Sequence, residues 1–172
     1  MTRIDRHADH WNSTYLTKEE DGVSWFEEVP GASTKLINKW SPLGCSVIDI
    51  GGGASCLVDT LLQQGRTDVT VLDLSRTGLE VAKTRLGRKA SMVHWIACDV
   101  TKWMPDRTYD TWHDRAAFHF LTDPADRTAY AERLHSALSP QGVAPFLLLE
   151  AEQYIAHASI KLRRFSSASE RR

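Results

Sequence analysis

The chain has 172 residues, of which 42% are hydrophobic and 25% charged, a composition that fits one globular domain with a sizeable core. With 21 Lys and Arg against 22 Asp and Glu, the net charge of -1 provides no overall basic field for nucleic acid or an anionic membrane. Apolar runs such as "APFLLLEA" fall short of the roughly 18 residues that span a bilayer, and "MTRIDRHADHWN" has no apolar signal core, so a cytoplasmic location is expected.

Residues 1–46 form an aromatic-rich preface in which Trp11, Tyr15, Trp25, Phe26 and Trp40 lie among charged residues without strand alternation. The preface is expected to be helical. Trp40 is expected to pack against the core, whereas the aromatic faces of Trp11, Tyr15 and Trp25 are candidates for lining a cation site. Residues 47–150 alternate short apolar runs with helical patterns, the signature of β-α-β units and a parallel sheet. Strands are predicted at "SVIDI", "VTVLD", "MVHWIAC" and "YDTWH", with a short or frayed fifth near "VAPFLLL". Crossover helices are predicted in "SCLVDTLLQQG" and "RTGLEVAKTRLG", closed by Gly65 and Gly87. A further helix over 124–138 has Thr122 or Asp123 as N-cap, Pro124 in its first turn, and Pro140 and Gly142 beyond its end.

Three consecutive glycines, Gly51, Gly52 and Gly53, stand between the first strand and the first crossover helix. In a doubly wound sheet this turn lies where a ligand meets the carboxyl ends of the strands. A dinucleotide fingerprint wants a third glycine where Cys56 stands, which argues against NAD and an oxidoreductase. Asp49, inside the first strand, calls for a partner that offsets its desolvation, and a cationic ligand group would do so. Asp73 ends the second strand, 22 residues after Gly51, where a carboxylate can accept both hydroxyls of a ribose. Asp99 stands at the third strand end, in "ACDV".

The D-x-G-x-G pattern of Asp49, Gly51 and Gly53, followed by Asp73 and Asp99, resembles the motifs of the class I S-adenosylmethionine (SAM)-dependent methyltransferases. "HWNSTYLTKEEDGVSWFEE" is similar to the preface of uncharacterised bacterial methyltransferases and of elongation-factor lysine methyltransferases. The resemblance implies a Rossmann-like, doubly wound parallel sheet of order 3-2-1-4-5. It further implies SAM as cofactor, held by Asp49, Gly51, Gly52, Gly53, Asp73, Leu74, Asp99, Val100 and His113, with Trp11, Tyr15 and Trp25 folding over it. Asp99 would meet the adenine amino group and Val100 would offer its backbone amide. Two departures are mild: Ser55 stands at the third motif glycine, and "PQG" replaces P-G-G.

The end of the chain departs further. The family continues into an antiparallel hairpin, but only 22 residues follow Glu150, and Leu147, Ala151, Tyr154, Ala158 and Leu162 recur at helical spacing. The sheet is therefore expected to be truncated before that hairpin, with residues 151–172 an atypical helical or frayed tail and an exposed edge open to self-association.

Methyl transfer to an acceptor, a small molecule or a protein side chain, is an in-line displacement that needs alignment more than a catalytic group. Asp114 is a candidate for orienting the acceptor or for a local ion pair with Arg115, and His119 is a candidate base. A SAM-binding remnant without turnover is the alternative. Cys45, Cys56 and Cys98 form no C-x-x-C pair, and no histidine pair has the spacing of a zinc helix, so no metal site is expected. No nucleic-acid module is evident.

Overall fold

The computed structural model describes residues 12–13, 30–115 and 117–147. Its helices are α1 (Gly31–Trp40), α2 (Leu57–Gln63), α3 (Arg76–Leu86) and α4 (Pro124–Ala137). The strands are β1 (Val47–Ile50), β2 (Val69–Asp73), β3 (Val93–Ala97), β4 (Tyr109–Arg115), β5 (Leu138–Val143) and β6 (Phe146–Leu147). Short 3-10 turns occupy Gly87–Met92 and Ala117–Phe120.

The sheet has the order β3-β2-β1-β4-β5, with β6 also paired to β4, and every strand pair is parallel. A parallel sheet is covered on both faces, so its inner strands bury every residue, as β1 and β2 do. Alternate residues supply two cores. Val47, Val69, Val71 and Val93 pack with Ile37 of α1, Leu57 and Leu61 of α2 and Leu79 of α3. Ile48, Ile50 and Leu72 pack on the opposite face with Trp103, Tyr109 and Trp112, and with Tyr130, Leu134 and Ala137 of α4. The (i, i+4, i+7) spacing of these last three puts them on one side of their helix.

α4 begins where the sequence predicts, with Asp123 accepting the amide of Ala125 and Pro124 in the first turn. Two readings need correction. Pairing at the β5 edge starts inside "LSPQGV", directly after α4, and resumes at Phe146–Leu147, rather than forming one strand near "VAPFLLL". Tyr109 pairs with Leu138 but Thr111 with Val143, so the edge strand bulges around Pro140; proline is tolerated there because an edge residue can do without its ladder donor. Trp40 does not pack into the core: it is 42% exposed at the end of α1, with the Lys39 ammonium 5.0 Å from the ring centroid, while Ile37 supplies that helix's buried contact.

The described residues end with β6, so the predicted truncation before an antiparallel hairpin lies outside them; among them no helix is long and apolar enough to cross a membrane. The predicted tail, 151–172, lies outside the described residues, as do Trp11, Tyr15 and Trp25.

Candidate active site

The carboxyl ends of β1, β2, β3 and β4 lie side by side and carry Asp49, Asp73, Asp99 and His113 with Asp114 at or just beyond them. Gly51 donates its amide to the Leu72 carbonyl at 2.8 Å, and Ser55 closes the glycine turn onto the Gly52 carbonyl at 2.8 Å. Gly51 and Gly53 have φ of 71° and 44°, where a side chain would be strained. Gly52 is required for space: a Cβ there would lie 2.6 Å from Val71 Cγ1 and 2.7 Å from Asp49 Oδ2. The turn therefore lies directly over the Asp49 carboxylate.

The β1–β4 register pairs Asp49 with His113 on neighbouring strands, and the side chains meet with Oδ1 to Nδ1 at 2.7 Å. Both side chains are almost fully buried. A protein imidazole therefore offsets the desolvation of Asp49, a role that the sequence alone assigned to a ligand. His113 Nε2 is buried without a hydrogen-bond partner among the described residues.

Asp73 Oδ1 accepts the Ser75 amide at 2.6 Å, and the Gly53 amide of the glycine turn lies near the same carboxylate. Burial, aided by the nearby Asp49 and opposed by the two amides, pushes the Asp73 pKa up to about 7. A carboxylate has about four acceptor positions, so with the Ser75 amide bound it is able to take two more. A vicinal diol supplies two donors at that spacing.

Asp99 is half-buried; its Oδ1 accepts both the amide and the hydroxyl of Thr101, at 2.9 and 2.8 Å. Its chain neighbours Cys98 and Val100, like Ala117 and Phe118 after β4, are partly buried apolar residues packed against the core that includes Trp112 and Tyr130. Leu74 is half-buried next to Asp73. The preface also reaches this end of the sheet. Asn12 Oδ1 accepts the Ser75 hydroxyl at 2.7 Å and the Thr77 amide at 3.4 Å, at the start of α3.

Asp114 has a different environment. Its Oδ1 accepts the Ala117 amide at 2.7 Å, and its Oδ2 accepts the Phe118 amide at 3.1 Å and the Tyr130 hydroxyl at 2.5 Å. Trp112 Nε1 donates to the same Tyr130 oxygen at 2.8 Å. Burial, partly countered by these donors, raises the Asp114 pKa to about 6. This carboxylate holds the turn Ala117–Phe120 in place, and Ala117 packs against Gly51. His119 is exposed on that turn, its ring against Phe120.

The sequence pattern of the family described as "Methyltransferase domain" matches residues 47–142, more than half of the chain. The chain belongs to this methyltransferase-domain family. No curated protein sequence matches it. Among solved structures, a DhpI–SAM–HEP complex is similar over 89% of this chain and 70% of its own, with 18% identity and a TM-score of 0.68. A structure described with conversion of a disulfide bond into a thioacetal group during echinomycin biosynthesis has 25% identity and a TM-score of 0.67, over 81% of this chain and 60% of its own. The N-methyltransferase NodS from Bradyrhizobium japonicum WM9 in complex with S-adenosyl-L-homocysteine (SAH) has 18% identity and a TM-score of 0.66, over 80% of this chain and 70% of its own. The chain thus spans 60% to 70% of the length of these structures. It is a methyltransferase domain by family, with the fold of these structures.

Asp49, Gly51, Gly52, Gly53, Asp73 and His113, all named from the sequence, converge in one place. Tyr130 and Asn12 were missed, because each acts through a contact between elements distant in sequence. Only the (i, i+4, i+7) face of α4 marked Tyr130 as buried.

Proposed function

We propose that the site binds SAM at the carboxyl ends of β1–β3 and that the domain transfers the methyl group to a small molecule or a protein side chain, in the cytoplasm. The observation that carries this reading is the Asp73 carboxylate, buried, held by the Ser75 amide, and still able to accept a diol. In this reading Asp73 takes both ribose hydroxyls, Asp99 Oδ2 takes the adenine amino group, and the Val100 amide and the apolar wall at Cys98, Val100 and Phe118 orient the ring. Leu74 lies along the nucleoside. Gly51, Gly52 and Gly53 let the backbone approach the amino acid portion, and the Asp49–His113 pair beneath the turn sets its polarity. Trp11, Tyr15 and Trp25 are proposed to close over the cofactor, in keeping with the position of Asn12 between them in sequence and against Ser75 in space.

SAM supplies an electrophilic methyl group that needs no further activation. The chain aligns the acceptor with it and excludes water. Asp114 fixes the turn on the acceptor side, and His119, exposed on that turn, is the group available to take a proton from an acceptor that must lose one. Self-association through the β5–β6 edge belongs to the same reading.

Calorimetric titration with SAM, SAH and NAD tests it. SAM and SAH should bind and NAD should not; binding of NAD alone would overturn the assignment. Labelled SAM incubated with cell lysate, then separated into protein and small-molecule fractions, identifies the acceptor class.

A further inference from the structure

Arg85, in the last turn of α3, does not point into solvent as a residue completing a helix dipole would. Its Nη1 donates to the Ala54 carbonyl at 2.8 Å and its Nη2 to the Ser55 carbonyl at 2.9 Å. Nη2 also donates to Asp59 Oδ2 at 2.8 Å, and Nε lies 3.3 and 3.2 Å from the two Asp59 oxygens. The Arg85 side chain is about four-fifths buried, as is that of Asp59. One side chain from the β2–α3 unit, which carries Asp73, thus grips the end of the glycine turn and the first turn of α2.

A trans peptide is planar, with its carbonyl and amide pointing in opposite directions. The peptide between Ala54 and Ser55 therefore carries two bonds at once: its oxygen accepts from Arg85, and its Ser55 amide donates to the Gly52 carbonyl at 2.8 Å. Fixing the oxygen fixes the direction of the amide that closes the turn. Polarising that carbonyl by a cation also strengthens the donor at the other end of the same peptide. Lysine cannot reproduce this, because an ammonium has no planar fork to span two adjacent carbonyls and a carboxylate.

We infer that Arg85 is a positioning residue for the cofactor, a clamp that sets the conformation of the glycine turn from the back and couples it to the Asp73 side of the site. The inference rests on the proposed SAM site, but the clamp is measurable without any ligand. R85K, R85M and D59N are compared with the unmodified protein by amide hydrogen exchange of the ligand-free state, by titration with SAH, and by the dependence of rate on SAM.

The Ser55 amide should exchange about tenfold faster in R85M, and in R85K nearly as much. SAH should bind about tenfold more weakly to both, with KM for SAM raised and kcat within about twofold. D59N, which keeps both carbonyl contacts, should bind SAH within about threefold of the unmodified protein. Unchanged Ser55 exchange in R85K overturns the clamp. Faster exchange with unchanged SAH affinity overturns the cofactor role and leaves Arg85 a structural staple. Should the unmodified protein fail to bind SAH, the functional reading fails by itself, and the exchange measurement still decides the clamp.

Discussion

Asp73 and Asp114 end strands on the two sides of β1, both buried and both with a raised pKa, yet their surroundings give them opposite uses. Asp73 accepts a backbone amide, that of Ser75, and keeps acceptor capacity for a ligand. Asp114 spends its capacity inside the protein, on two amides of the following turn and on the Tyr130 hydroxyl. A carboxylate at a strand end is therefore no site in itself. What decides is how many of its acceptor positions the fold has already filled.

The largest effect should come from Gly52→Ala. The new methyl group would strike Val71 and the Asp49 oxygen, and Asp49 cannot yield because His113 holds it. Overpacking of this kind costs about 1–3 kcal/mol of stability, and the displaced turn should weaken SAH binding by roughly a hundredfold or more. Thermal denaturation and titration measure the two. Unchanged binding would separate the glycine turn from the cofactor.

Asp73→Ala should weaken SAM binding by roughly 1.5–3 kcal/mol, the scale of hydrogen bonds to a charged group. An unaltered affinity would place the ribose elsewhere and erase the contrast with Asp114.

Tyr130→Phe acts on the other side. It leaves Trp112 Nε1 without its acceptor and Asp114 with one donor fewer, in the core, at a cost of about 1–3 kcal/mol in stability. SAH affinity should stay within about threefold. A loss of SAH binding as large as that of Asp73→Ala would show that the Asp114 network belongs to the cofactor site.

The pH dependence tests the same contrast without a substitution. Folding raises both pKa values, so each carboxyl group favours the folded state most below the unfolded value of 3.8, and this contribution is lost as pH rises through about 6 for Asp114 and about 7 for Asp73. Between pH 5 and 8 the ligand-free domain should lose on the order of 4 kcal/mol from these two groups, and Asp73→Asn should remove the Asp73 share. Ligand binding runs the other way. Ribose hydroxyls donate to the ionised Asp73, so SAH affinity should rise roughly tenfold from pH 6 to 8 and plateau above. A flat affinity profile in that window would mean that the ribose does not rest on Asp73.

The order of strands and helices was readable because each element carries its own period and punctuation. Alternation marked β1 and β2, Gly65 and Gly87 closed two helices, and Asp123 with Pro124 opened α4. The glycine turn and the acidic strand ends were readable for the same reason, since backbone geometry and strand position are local properties. The edge was misread because pairing there depends on what β4 offers, not on the alternation of "LSPQGV". Tertiary structure alone decided which partner each polar side chain found. It brought His113 under Asp49 by strand register, Tyr130 onto Asp114 by the packing of α4, Arg85 onto the glycine turn, and Asn12 onto Ser75 across 63 residues of chain. Such contacts join surfaces that only the folded sheet makes adjacent, and a buried carboxylate reads the same in a sequence whether those surfaces satisfy it or leave it to a ligand.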